Sequence, residues 1–330
     1  MTAPSPAGAP PFAGPPPGAG VPWAGPPFRP AAGGGELGPQ QLVGPAVTLV
    51  LGWIVALAMY VSAPDVPGSF LGDRVVPYAM ILAALAVPVA LLFAWGEVDL
   101  SAFGTVPFAA WVYTEVGDSG VVVGLVAAAV ACGAVGLCLG LVRWATRAPA
   151  AFVSLAAGFM LQAVAFKQIG VQGAVRLEDG IIDGSGLPVL AGLGFTALTV
   201  AAALTLRRPA VDVPGAPSWG PGVVAGFGLS GAAAGTYGAM TVGLTGAAVA
   251  ADGSNVLLLL FCAVAIGGVV RGNRLVGPIA AVLGALATQL LLDAGMIRGW
   301  EFFDTRLLIA ILLTVCLLIA HGLHRALAPR

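Results

Sequence analysis

Two carboxylates interrupt an otherwise apolar stretch in Trp95-Gly96-Glu97-Val98-Asp99-Leu100-Ser101. An ionisable side chain among residues apolar enough for a membrane is costly to bury, so it marks a candidate functional site. Asp99 and Ser101 are helix-capping types that accept bonds from the free N–H groups at a helix start, and Gly96 loosens the backbone before them. The segment therefore reads either as a capped helix break near the cytoplasmic surface or as a hinge on a substrate path.

Little else in the chain is equipped for catalysis. A phosphate-binding P-loop needs a lysine followed by Ser or Thr, and the single lysine, Lys167, precedes Gln168. ATP binding through that motif is excluded. His321 and His324 fall at i, i+3 near the chain end with no carboxylate close in sequence, which suits the negative pole of a helix better than a metal pair. Cys132, Cys138, Cys262 and Cys316 sit in apolar runs without Cys-x-x-Cys spacing and read as small packing residues. No paired base, nucleophile or metal-ligand set is present, so an enzyme is not expected, nor any cofactor or metal.

The surroundings of the break explain why its charges stand out. Of 330 residues, 58% are hydrophobic and 9% charged, against about 25% charged in soluble domains. So few charges cannot cover a water-facing surface, and membrane lipid must be the partner of most of it. A net charge of -1 and the lack of a Lys/Arg stripe argue against nucleic acid.

Residues 1–42 read as a disordered cytoplasmic tail. Twelve of the 26 prolines and nine glycines fall within 1–40, a composition that cannot bury enough apolar surface to fold. It opens with no charged n-region and apolar h-region, so it is not a secretory signal. The expected membrane domain covers 43–324 and is followed by a short cytoplasmic C-terminus, 325–330. At about 20 residues per crossing, the apolar runs are 43–63, 75–95, 101–115, 119–142, 150–170, 187–206, 222–243, 255–270, 275–293 and 305–323. The fold expected is an all-α transmembrane bundle of about ten spans, with the short third and eighth as broken or half-helices. Ten crossings from a cytoplasmic N-terminus put nine of the 14 basic residues inside and five outside, which places both termini in the cytoplasm. The pairs Gly136/Gly140, Gly222/Gly226 and Gly231/Gly235 are spaced for close helix packing.

Four stretches resemble, in order, motifs of ribose-type permeases of ABC transporters. Gly96-Glu97-Val98-Asp99-Leu100-Ser101 is similar to that family's Gly-Gly-Ile-Asp-Leu-Ser, with Glu97 in place of the second glycine. Ala150-Ala151-Phe152-Val153-Ser154-Leu155 resembles Pro-Phe-Ile-Val-Thr-Leu. Leu229-Ser230-Gly231-Ala232-Ala233-Ala234-Gly235 resembles Leu-Ser-Gly-Leu-Leu-Ala. Ala263-Val264-Ala265-Ile266-Gly267-Gly268 with Gly272-Asn273-Arg274-Leu275-Val276-Gly277 resembles a late glycine-rich signature. The likeness runs from about residue 45 to 322. It implies a bacterial inner-membrane permease subunit that pairs with a second permease subunit, homo- or heterodimeric. An ATP-binding cassette ATPase would carry the ATP, an extracellular solute-binding protein would deliver cargo, and the Asp-Leu-Ser variant points to sugars. Gly96, Glu97, Asp99 and Ser101 would then line the path or its hinge, with Gly267, Gly268, Gly272 and Gly277 shaping a second break.

The chain departs from that family in the expected ATPase-coupling loop, which includes Arg207, Arg208 and Trp219. Its 15 residues, 207–221, hold four prolines, leaving no room for a coupling helix of more than a turn. An ATPase-independent carrier or channel, or a membrane scaffold using the proline-rich tail, are the alternative readings.

Overall fold

The computed structural model describes residues 39–63, 66, 69–170, 173–177, 181–182, 184, 186–206, 221–250, 253–268 and 276–326. The proline-rich tail, the coupling loop with Arg207, Arg208 and Trp219, and Gly272 lie outside these residues.

Ten α-helices account for most of the described chain: α1 (Pro39–Val61), α2 (Val76–Ala94), α3 (Ala102–Val116), α4 (Val121–Thr146), α5 (Ala150–Ile169), α6 (Gly186–Thr205), α7 (Pro221–Thr245), α8 (Gly253–Ile266), α9 (Val276–Ile297) and α10 (Phe302–Ala326). Each falls on one of the ten apolar runs, with ends displaced by four residues or fewer. Seven are long and apolar enough to cross a membrane. Helices α3 and α8 are short, at 15 and 14 residues. Helix α7 has the length, 25 residues, but is built largely of Gly, Ala, Ser and Thr.

One five-residue π-helical turn, Leu71–Val75, leads into α2. Two three-residue strands, β1 (Ala174–Arg176) and β2 (Ala247–Val249), pair antiparallel with Ala174 opposite Val249. The all-α expectation holds for the bundle; this small ribbon is an addition too short to show a period-2 pattern in the sequence.

Hydrophobic on every face, α2 is buried along nearly its whole length, as a helix without a polar stripe must be. It packs on α6, α7, α8 and α9. The outer helices instead expose Val50 and Ile54 (α1), Val122 and Val130 (α4), Phe152 and Met160 (α5), Leu190 and Leu198 (α6), and Leu307 and Leu318 (α10). An apolar exterior of this extent belongs against hydrocarbon. These are the helices of a multi-pass membrane protein.

The closest helix pair is α4 with α7. A Cβ on Gly136 would strike the Phe227 carbonyl, and Cβ atoms on Gly231 and Gly235 would strike the carbonyls of Cys132 and Ala128. Small residues thus let the two backbones touch, as the glycine spacing predicts. Gly222/Gly226 behaves differently: Gly226 makes room for the Trp95 ring, and Gly222 meets only Leu206.

Candidate functional site

Helix α2 ends at Ala94, and Gly96 follows with φ +84°, a left-handed conformation that costs a residue with a Cβ about 1–2 kcal/mol. That reversal turns the chain into the non-helical stretch Glu97–Leu100 before α3 begins. Gly96 is exposed, whereas Glu97, Asp99 and Ser101 are all buried.

Asp99, 2% exposed, holds the stretch together. Its Oδ1 accepts bonds from the Ser101 N–H at 2.8 Å and the Ser101 hydroxyl at 2.7 Å, and its Oδ2 accepts from the Ser230 hydroxyl of α7 at 2.7 Å. The capping expectation is refined here: Asp99 is the acceptor, and the Ser101 hydroxyl donates to it. Bonds to a charged acceptor are worth about 1.5–3 kcal/mol each, so the carboxylate is balanced by three donors.

Two further helices grip the same stretch. The Ser154 hydroxyl of α5 accepts the Leu100 N–H at 2.9 Å and donates to Ala150 O at 2.8 Å within its own helix. Arg143 of α4 sets its Nε 3.3 Å from Glu97 Oε2, both side chains 7% exposed. In the sequence Arg143 reads only as one of the inner-face basic residues. The structure makes it the partner of Glu97.

Depth follows from the α4–α7 register. Ser230 is the neighbour of Gly231, which abuts Cys132, the twelfth residue of the 26-residue α4. Asp99 therefore lies level with the middle of α4, while Glu97 points toward Arg143 in its last turn. Leu100 in turn bonds Ser154 near the start of α5, so the break runs inward from the end of the bundle where α4 finishes and α5 begins.

Pro107 shapes the start of α3 further. Lacking an N–H, it cannot donate to the carbonyl four residues earlier, that of Phe103. Gly253, the first residue of α8, packs its Cα face against this carbonyl, where a Cβ would overlap the oxygen. Gly104 meets the Gly158 carbonyl of α5 in the same way. The N-terminal ends of the two short helices, both partially positive, are thus in backbone contact, with the Asp99 carboxylate at the start of one of them.

The late glycines form a separate feature. Gly267 and Gly268 turn the chain at the end of α8, Gly268 with φ +65°, and a Cβ there would collide with Pro45 of α1. Gly267 abuts the Ala280 carbonyl of α9, and Gly277 is buried in the first turn of α9. No hydrogen bond between described residues links this turn to the Asp99 stretch.

A second polar cluster was not singled out from sequence. Asp293 of α9, 1% exposed, accepts from Gln289 Nε2 at 2.9 Å and from Arg74 Nε of the π-helical turn at 3.3 Å, the arginine being 53% exposed. The i, i+4 spacing of Gln289 and Asp293 was the available signal. Among the described residues, no group of three or more His, Cys, Asp or Glu could hold a metal.

No family model, no curated protein and no solved structure matches this chain.

Proposed function

We propose that this chain is a transmembrane permease subunit of an ABC-type importer, forming part of the path for a small polar solute of the sugar class. The supporting observation is convergence. Three stretches that resemble ribose-type permease motifs, far apart in sequence, meet at one break: Asp99 bonds Ser230, and Leu100 bonds Ser154.

In this reading both termini face the cytoplasm of a bacterial inner membrane, and ATP is bound by a partner ATPase. A second permease subunit completes the path, and an extracellular binding protein delivers the solute. Asp99 is buried and accepts three protein donors, so in this reading it acts as a positioning residue that holds the hinge. Purification of the tagged chain from its native host under mild detergent tests the proposal. Co-purification of an ATPase and a permease partner is the expected result; a chain recovered without either would overturn it.

The four prolines of 207–221 favour one competing reading, a carrier or channel on the same scaffold that works without an ATPase. Solute flux into proteoliposomes containing this chain alone, without ATP, would establish that alternative.

A further inference from the structure

Helix α6 packs chiefly on α2 and diverges from the tight α4–α7 pair. The divergence leaves a lateral groove of about 330 Å³ between the three helices, lined by Gly133 and Leu137 of α4, Leu198 and Ala202 of α6, and Gly228 and Leu229 of α7, among others. Volumes of this size accept small ligands. Every side chain named is aliphatic or absent, and Gly133 and Gly228 recess the floor. A polar solute would find no partner there.

The α4 face beside the groove is graded. Gly133 lies at the middle of α4, and Leu137 and Trp144 follow on the same stripe, four and eleven residues on. Trp144 is 52% exposed, the amphipathic ring expected at a membrane interface. Arg147 caps the helix one turn later, exposed, with no carboxylate of the described residues in ion-pair range. From Gly133 to Arg147 is 14 residues, roughly 21 Å of helix. Half a bilayer is about 15 Å of hydrocarbon and about 20–22 Å with its headgroups. The span from Gly133 to Arg147 thus matches the distance from a bilayer's midplane to its phosphates, with the Trp144 ring about three-quarters of the way along it.

We infer that the α4–α6–α7 groove is a binding site for one anionic phospholipid, its acyl chain lying from Gly133 to Leu206 and its phosphate at Arg147. Gly228 and Leu229 line this groove, and the next residue, Ser230, holds Asp99. The bound chain thus backs the segment of α7 that fixes the α2–α3 break. This inference does not depend on the transport reading.

The test uses the full chain in nanodiscs of phosphatidylglycerol and phosphatidylcholine in equal amounts, followed by stepwise delipidation and native mass spectrometry. The wild type is expected to retain one phosphatidylglycerol. Ala202→Trp, which fills the groove, and the milder Ala225→Leu are expected to lower that retention by about tenfold, equal to about 1.4 kcal/mol. Arg147→Gln is expected to retain a lipid but lose the headgroup preference. Leu318→Trp, on the exposed face of α10, is expected to change nothing. Undiminished retention in both filling variants, or an equal loss in Leu318→Trp, would overturn the site. An unaltered headgroup preference in Arg147→Gln would overturn the phosphate assignment.

Discussion

The Ser230 hydroxyl lies 2.7 Å from Asp99 Oδ2 although 131 residues separate them, and through this bond α7 holds the turn between α2 and α3. Asp99 also accepts both Ser101 donors, so its replacement strands groups on two helices. Asp99→Ala should lower stability by about 2–4 kcal/mol, since buried donors left unmade cost about 1–3 kcal/mol each. Asp99→Asn keeps one acceptor oxygen and should cost about half as much, and Ser230→Ala about 1–2 kcal/mol. Thermal unfolding in detergent ranks the three. Equal midpoints for Asp99→Ala and wild type would show that the carboxylate holds nothing.

Glu97 and Arg143 form a buried pair, and such pairs are asymmetric in their energetics. Removing one partner strands the other charge at a cost of about 3–5 kcal/mol, whereas replacing both with apolar groups of similar size is close to neutral. Glu97→Leu and Arg143→Met should each destabilise strongly, and the double variant should recover most of the loss. A double-mutant cycle on unfolding midpoints gives the coupling, and strictly additive losses would contradict it.

At Gly253 the neighbouring atom decides the outcome. A methyl there overlaps the Phe103 carbonyl, which belongs to backbone and cannot swing aside, so Gly253→Ala must push α8 off α3. At Gly96 no atom lies within 4 Å of the site of a Cβ, and only the positive φ is strained. Gly96→Ala should cost about 1–2 kcal/mol and Gly253→Ala more than that, read as detergent melting temperatures. The reverse order would contradict the packing.

The Arg74–Asp293 pair is half open to solvent, so its strength is screened. Arg74→Gln should cost about 1 kcal/mol or less, and the loss should shrink as salt is raised. Asp293→Ala also strands the buried Gln289 amide and should cost about 1–3 kcal/mol more. A salt-independent deficit in Arg74→Gln would show that the arginine acts through packing.

Topology has its own check. With the four native cysteines replaced, a single cysteine at Ser119, exposed in the turn after α3, should react in intact cells with a membrane-impermeant maleimide. One at Thr146, at the opposite end of α4, should react only after lysis. The opposite pattern would invert the assignment of the termini to the cytoplasm.

The elements were legible in the sequence because each helix is an apolar run, and Asp99 stood out as a charge between two of them. The partners were not. Arg143, Ser154 and Ser230 lie 46, 54 and 131 residues from the groups they bond, and only tertiary packing brings them near. Ser154 and Ser230 sit inside motif stretches, yet nothing local to either announces a bond to the break. Hydropathy also cannot separate lipid from protein interior: α2 and α4 have similar apolarity, with mean hydropathies of 2.4 and 2.5, but 89% of the first and 28% of the second are buried. The Arg74–Asp293 cluster was missed because both residues fall near span ends, where charges are ordinary.

The burial of α2 bears on how the molecule is made. Chains are synthesised from the N-terminus, so α2 leaves the ribosome before α6, α7, α8 and α9, the helices that enclose it. Until those arrive, its apolar surface has only acyl chains or the insertion machinery as company. The native bundle therefore closes late, around a rod that must first wait in the bilayer, and a nascent chain arrested after α5 would present that rod bare to the cell's membrane quality control.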